Sequence, residues 1–239
     1  MLKPKKKLNI KTEVQDVLEG LTPWKRFQAY WEVNQKQISY IGIAIVVVVA
    51  GGIFWFNRQT EGAKEAALEL SRIQSYYDAG QYQKAVAGDS VKTIRGQQIK
   101  GLKEIVDEYG STTPGKIASL YLANCYYYLG QYDNAKEYYS KAESNSDPVF
   151  EAAAYAGEGA VLESKNQYDE AEKYYERASK QSDNNPNNPD YMIAAARCLA
   201  NMSQTNKAIE LYKRVVYQFA GTTSEETAKH AIAELHGNL

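Results

Sequence analysis

The chain has little of what most metal sites and disulfide-stabilised folds depend on. Cysteine and histidine occur only twice each in 239 residues, too few for a disulfide framework or a zinc cluster. His230 and His236 lie six residues apart, a spacing that does not share one helix face. The sequence also has no His-Glu-x-x-His motif and no Gly-x-Ser-x-Gly element. We therefore expect a protein that is not an enzyme and that has no cofactor, metal or small-molecule substrate.

Charge is absent from one long stretch near the N-terminus. Residues 38–56 (ISYIGIAIVVVVAGGIFWF) carry no charged side chain, and their length is close to the roughly 20 residues that cross a bilayer as a helix. A buried strand would usually end after about 4 to 8 residues. A cleaved signal peptide would begin nearer the N-terminus and end in small residues, not in Phe54, Trp55 and Phe56. We expect an uncleaved transmembrane helix over 38–56.

Basic residues are concentrated before this stretch and are sparse after it. The basic side chains that precede it are Lys3, Lys5, Lys6, Lys7, Lys11, Lys25, Arg26 and Lys36. The positive-inside rule predicts a cytoplasmic tail over 1–37 and an extracytoplasmic domain over 57–239. Acidic residues outnumber basic ones in the second region, so nucleic acid is not an expected partner.

A repeated pattern organises the region after the apolar stretch. Ala135, Ala171 and Ala208 are spaced 36 and 37 residues apart, and an aromatic residue follows each one four positions later, at Tyr139, Tyr175 and Tyr212. The pattern resembles the tetratricopeptide repeat family, which has a 34-residue period. The resemblance implies an all-α solenoid of about four repeats, with residues 224–236 as the C-terminal capping helix.

The first repeat departs from this period, because Ala85 and Ala135 are 50 residues apart. We expect the extra segment to form a loop over 88–96 and a helix over 97–109. Cys125 and Cys198 both lie ten residues before a repeat alanine, so they occupy equivalent positions in two repeats that have a whole repeat between them. That separation exceeds the reach of a disulfide, and we expect both thiols to pack in the core.

The resemblance also implies which residues could contact a partner, because helix A of each tetratricopeptide repeat lines a concave groove. The groove positions are Tyr77, Asn124, Tyr127, Tyr128, Arg197 and Asn201, together with Gln74 and Glu163, which are as readily explained by solvation. Tyr127 and Tyr128 are the strongest candidates, since tyrosine combines a rigid ring with a polar tip. The neighbouring Tyr126, Tyr132 and Tyr139 are expected in the core, and the pattern does not place Tyr138.

A short aromatic stripe precedes the apolar stretch. Thr22 and Pro23 form a helix start signal, and Trp24, Phe27 and Trp31 follow at helical spacing. This stripe is expected either to lie in the membrane interface or to pack on a membrane partner.

The whole layout of basic tail, single span and repeat domain resembles the ancillary SecYEG translocon subunits of the bacterial inner membrane, most closely at the WEVNQKQISYIGIAI entry to the span. Membership would imply a periplasmic repeat domain that binds exported polypeptides or the translocon. Two other functions fit the same layout: a fixed accessory subunit of another membrane complex, and an envelope or division coordinator.

Overall fold

A computed structural model describes residues 22–94, 96–144 and 147–237 of the chain. The basic tail expected over 1–37 lies for the most part outside these residues. The chain divides into two units, Met1–Arg58 and Gln59–Leu239. Helix α1 (Pro23–Asp78) runs through the division between them. The two units are described separately below.

The first unit contains the apolar stretch, which is helical. Helix α1 begins at Pro23, as the helix start signal predicts, and its backbone leaves helical geometry at Asn34 (φ −112°, ψ 16°). The Asn34 amide nitrogen donates to the carbonyl of Tyr30 at 3.0 Å, so the side chain satisfies an acceptor beside the break. The large apolar side chains from Tyr40 to Phe56 are exposed.

The second unit is a series of helical hairpins, in which each helix packs on the next along the chain. After α1 come a short helix, a β-hairpin and eight further helices among the described residues. Their bounds are α2 (Tyr82–Ala87), β1 (Gly88–Ile94), β2 (Gln97–Lys100), α3 (Leu102–Tyr109), α4 (Thr113–Tyr128), α5 (Tyr132–Ala142), α6 (Pro148–Ser164), α7 (Tyr168–Lys180), α8 (Asn188–Asn201), α9 (Thr205–Gln218) and α10 (Thr223–Gly237).

The turn inside each repeat has the same backbone geometry. Gly80, Gly130, Asn166 and Ser203 have φ of 68°, 74°, 59° and 59°, and each is followed by glutamine. The glutamine N–H bonds back to a carbonyl five residues earlier, for example Gln131 to Tyr126 at 2.8 Å. This left-handed residue ends helix A and directs the chain into helix B.

Small residues allow the helices to approach closely. The repeat alanines Ala135, Ala171 and Ala208 are fully buried, as expected for the position that opens helix B. Tyr139 of α5 lies against Gly157 of the next repeat, where a Cβ would overlap its ring. The core is therefore built from tyrosines that pack against alanine and glycine.

The expected loop over 88–96 and helix over 97–109 were wrong in part. Residues 88–94 and 97–100 form an antiparallel β-hairpin, and the helix begins only at Leu102. The backbone explains the difference: Gly88 has φ of 83°, and a Cβ on it would meet the carbonyl of Ile99. A Cβ on Gly101 would likewise meet the backbone at residues 86–88, so both glycines are needed to close the hairpin base.

The other end of the unit follows the expectation. Helix α10 covers the last hairpin with Ala228, which is buried, and with Ala231, Ile232 and Leu235, which are half-buried. This is the capping helix predicted over 224–236. Cys125 and Cys198 are free and buried, which confirms that they pack in the core.

Candidate functional site

Six tyrosines form a continuous row of ring contacts, which we call the tyrosine surface. In order of contact these are Tyr121, Tyr77, Tyr82, Tyr128, Tyr127 and Tyr132, from helices α1, α2, α4 and α5. Neighbouring ring centroids lie between 4.7 and 6.1 Å apart, within the range in which aromatic pairs attract one another. The row joins the first repeat to the second.

Asn124 lies beside the row and fixes two tyrosines through its amide. It accepts a hydrogen bond from the Tyr139 hydroxyl at 2.7 Å and donates one to the Tyr77 hydroxyl at 3.0 Å. Burial raises the pKa of Tyr77 to about 12 and also raises the pKa of Tyr139. Both phenols are therefore neutral at physiological pH, and Asn124 acts in the free protein as a link between repeats.

Tyr128 is the most accessible of the predicted contact tyrosines. Its side chain is 60% exposed, and one face of its ring stacks on Tyr82 with an interplanar angle of 12°. Tyr127 is half-buried, and its hydroxyl lies 3.2 Å from the Ser164 hydroxyl of the next repeat. Of this adjacent pair, Tyr128 is therefore better placed to receive a partner.

The predicted contact residue Arg197 lies in a second, charged cluster. Its guanidinium binds Glu163 through two bonds, Nε to Oε1 at 2.6 Å and Nη2 to Oε2 at 2.8 Å. The Tyr175 hydroxyl donates to the same carboxylate at 2.8 Å. Burial works to raise the pKa of Glu163, but the bonds from Arg197 and Tyr175 hold it below its usual value. Glu163 is thus ionised and paired with Arg197.

The structure brings four of the six predicted groove residues together: Tyr77, Asn124, Tyr127 and Tyr128. Asn201 is exposed at the end of α8. It occupies in the last repeat the position that Tyr128 occupies in its own repeat. Sequence reasoning missed Tyr82 and Tyr121. Tyr82 could have been found, because the segment AGQYQKA aligns it with Tyr132. Tyr121 lies seven residues before Tyr128, a spacing that returns to the same helix face.

The core assignments of the other tyrosines are largely upheld. Tyr139 is 3% exposed, whereas Tyr126 and Tyr132 are half-buried and pack against the core cluster. Tyr138, which the pattern does not place, is buried and stacks on Tyr126 with centroids 5.5 Å apart.

The aromatic stripe of the first unit is a separate feature. Trp24 and Phe27 have ring centroids 5.7 Å apart, and Phe27 and Trp31 have centroids 6.0 Å apart. Their exposed fractions range from 40% to 66%. Helix α1 is also long and apolar enough, by length and composition, to cross a membrane, with a mean hydropathy of 2.3 in its most apolar window.

Within the described ranges, no group of three or more histidine, cysteine, aspartate or glutamate side chains is placed to hold a metal ion. The tyrosine surface offers aromatic rings and hydroxyl groups. Its chemistry is that of contact and hydrogen bonding.

Comparison with known proteins agrees with this geometry. The profile described as a tetratricopeptide repeat-like domain matches residues 28–182, a range that includes the apolar stretch. A second profile, described as a tetratricopeptide repeat, matches residues 162–226. No curated protein matches the chain.

Two solved structures of a Podosopora anserina putative kinesin light chain with nearly identical TPR-like repeats, one of them a single-residue variant, are similar to the chain. Each is 18% identical to this chain, and each match covers 71% of this chain and 84% of the solved chain. The TM-score is 0.55 for the variant and 0.54 for the other structure. At this identity the likeness shows the fold alone.

Proposed function

The chain belongs to the tetratricopeptide repeat-like domain family, whose repeats are protein-interaction modules, and from that premise we propose that it is a non-enzymatic, membrane-tethered receptor for polypeptides. In this proposal the repeat domain lies in the periplasm of a bacterium and binds exported proteins, the Sec translocon, or both. The observation that carries it is the tyrosine surface, a row of six rings with Tyr128 exposed.

The chemistry of the tyrosine surface favours polypeptide over other ligands. Tyrosine rings contribute large contact area at a low cost in side-chain entropy, and their hydroxyls can bond to a peptide backbone. The hydroxyls of Tyr77 and Tyr139 are already held by Asn124, so the rings are positioned before a partner arrives. Preorganised contact groups of this kind reduce the entropic cost of binding.

The membrane tether rests on the first unit. The apolar side chains of residues 40–56 are exposed, which in water would be a large and unfavourable patch, whereas in a bilayer they would face lipid. Trp24, Phe27 and Trp31 lie before this segment, where aromatic side chains concentrate at membrane interfaces. A tether raises the local concentration of the repeats near the membrane, so weak contacts with clients are sufficient.

A fixed accessory subunit of another membrane complex is the second candidate. The exposed Trp24–Trp31 stripe favours it, because such a stripe could also pack on a neighbouring membrane protein. In that case the tyrosine surface would hold one permanent partner.

A photo-crosslinking amino acid at Tyr128 separates these functions. Crosslinks to many exported proteins support the receptor, and one stoichiometric partner supports the fixed subunit. The complete loss of crosslinks at this exposed position would contradict both uses of the tyrosine surface.

Topology has an independent test, which uses the exposed position Asn134. A membrane-impermeant thiol reagent should label an Asn134→Cys variant in intact cells once the outer membrane is permeabilised. The unsubstituted chain, whose two thiols are buried, is the matched control. Labelling only after lysis would place the repeats in the cytoplasm.

A further inference from the structure

The irregular first repeat creates a cavity that is separate from the tyrosine surface. It lies between α1, the β1–β2 hairpin and the start of α3, and has a volume of about 420 Å³. Its walls include the backbone that Gly88 and Gly101 bring together at the hairpin base. We call it the hairpin cavity. It exists because the hairpin interrupts the helical repeat.

The hairpin cavity is lined by an excess of negative charge. Four carboxylates border it, those of Glu65, Glu69, Asp89 and Glu104. Among the described residues that line it, the one cation is Lys100, which is already paired with Glu108 at 2.5 Å and with Glu104 at 3.6 Å. An added positive charge would therefore be attracted into the cavity.

Glu69 provides a second, independent observation at this cavity. The residue is only 6% exposed, and its Oε1 is paired with Arg72 at 2.6 Å. Its Oε2 is buried and has no hydrogen-bond partner among the residues that the structure describes. A buried carboxylate oxygen without a donor destabilises the folded state.

Asp89, which lines the cavity from strand β1, is held in place by the protein. Its Oδ2 accepts a bond from the Tyr76 hydroxyl at 2.7 Å, and its Oδ1 accepts one from the Val91 N–H at 2.9 Å. The apolar side chains of Ala87 and Ile99 form another part of the lining. The cavity thus offers fixed carboxylates beside a hydrocarbon surface.

We propose that the hairpin cavity binds an alkylammonium group, such as the side chain of a lysine on a partner polypeptide. The ammonium would lie among the carboxylates of Glu65, Glu69 and Asp89, and the methylene stem would lie along Ala87. An ammonium has three donors and a flexible stem that packs on apolar surface. A bare metal ion fits less well, because the described residues include no group of three ligands placed to hold one.

Calorimetric titration of the full-length protein in detergent micelles tests this proposal. The probe is an end-capped Gly-Lys-Gly peptide, and the matched peptide carries norleucine in place of lysine, which removes only the ammonium. We expect the lysine peptide to bind at millimolar concentration and the norleucine peptide at least tenfold more weakly. Cadaverine, titrated in parallel, identifies the source of the alkylammonium group. If cadaverine binds more tightly than the lysine peptide, the natural ligand is a free diamine. If it binds more weakly, the ligand is a lysine of a polypeptide.

The variants locate the binding to this cavity. Glu69→Gln should weaken binding of the lysine peptide at least tenfold, because the substitution removes the negative charge while it keeps an acceptor for Arg72. Glu65→Gln, at an exposed carboxylate whose replacement does not disturb the core, should weaken it about threefold. Glu61→Gln, one turn away on the same helix and paired with Lys64, should leave binding of the lysine peptide unchanged.

Equal binding of the lysine and norleucine peptides would overturn the proposal. So would a Glu65→Gln variant that binds like the unsubstituted protein, or no measurable binding at all. Because crosslinking at position 128 tests the tyrosine surface separately, these results leave the proposed receptor function untouched.

Discussion

In both halves of the repeat domain, helix A contacts the preceding repeat at the same position, but the chemistry of the contact differs. In the first half Asn124 bonds to Tyr77 of the preceding repeat, and in the second half Arg197 bonds to Glu163 of the preceding repeat. Asn124 and Arg197 occupy equivalent repeat positions, six residues before the turn residues Gly130 and Ser203. The scaffold therefore sets where neighbouring repeats meet, and the side chains decide whether the contact is neutral or charged.

This difference bears on binding. In the charged half Arg197 is committed to Glu163, so its guanidinium would have to leave a carboxylate before binding a partner. The neutral half instead exposes the ring of Tyr128, which a partner can reach without breaking an ion pair. We expect partners to prefer the tyrosine surface. The following predictions run from the largest expected effect to the smallest.

Removing the whole scaffold tyrosine should destabilise both halves to a similar extent, apart from the difference between their hydroxyl bonds. Tyr139→Ala and Tyr175→Ala delete buried rings at equivalent positions, and each should lower the free energy of unfolding by about 3–5 kcal/mol. Urea denaturation followed by circular dichroism measures this, with Tyr217→Ala, at an 82% exposed position, as the control. A large inequality between the two variants would show that the repeats do not share one packing design.

Removing only the hydroxyls should separate the halves. Tyr175→Phe loses a hydrogen bond to an ionised carboxylate, which is worth about 1.5–3 kcal/mol. Tyr139→Phe loses a bond to the neutral Asn124 amide, worth about 0.5–1.5 kcal/mol. The same denaturation measurement should therefore rank Tyr175→Phe as the more destabilising. The reverse order would mean that Glu163 is not held as the structure shows.

The coupling between repeats should depend on pH only in the charged half. A double-mutant cycle with Glu163→Gln and Arg197→Gln should give about 0.2–1 kcal/mol at neutral pH, since the Arg197 side chain is 51% exposed. The pKa of Glu163 is lowered in the folded state, so this coupling is present above the usual glutamate pKa of about 4.5 and is lost as the pH falls through the folded value.

The matched double-mutant cycle for the neutral contact between Asn124 and Tyr77 uses Asn124→Ala and Tyr77→Phe. Neither residue ionises between pH 3 and 7, since burial raises the pKa of Tyr77 to about 12. Its coupling should therefore stay constant over that range. A pH-dependent coupling in this cycle would contradict the neutral assignment.

The sequence was a good guide to the scaffold because the scaffold is local and periodic. The buried repeat alanines follow from spacing, and the capping helix α10 follows from the resemblance to the repeat family. The hairpin was missed because it depends on close backbone contact between Gly88 and Gly101, which no periodicity reports. Its exposed Val91 and short strands also resemble an ordinary loop in composition.

The candidate site was predicted only in part, for a similar reason. Periodicity places Tyr127, Tyr128 and Arg197 on helix A, but it does not say which side chains meet between repeats. Arg197 was expected to be a contact for a partner, and in the structure it is paired with Glu163. The stack of Tyr82 on Tyr128 joins residues 46 positions apart, so only the folded chain reveals it.

The most direct test of the account compares photo-crosslinking at two equivalent positions, Tyr128 and Asn201. Both are exposed and end their A helices, so they differ chiefly in their surroundings. With the crosslinker introduced at each site in intact cells, we expect the yield of polypeptide adducts at position 128 to exceed that at position 201 at least severalfold. Equal yields, or a higher yield at position 201, would contradict the claim that the tyrosine surface is where partners bind.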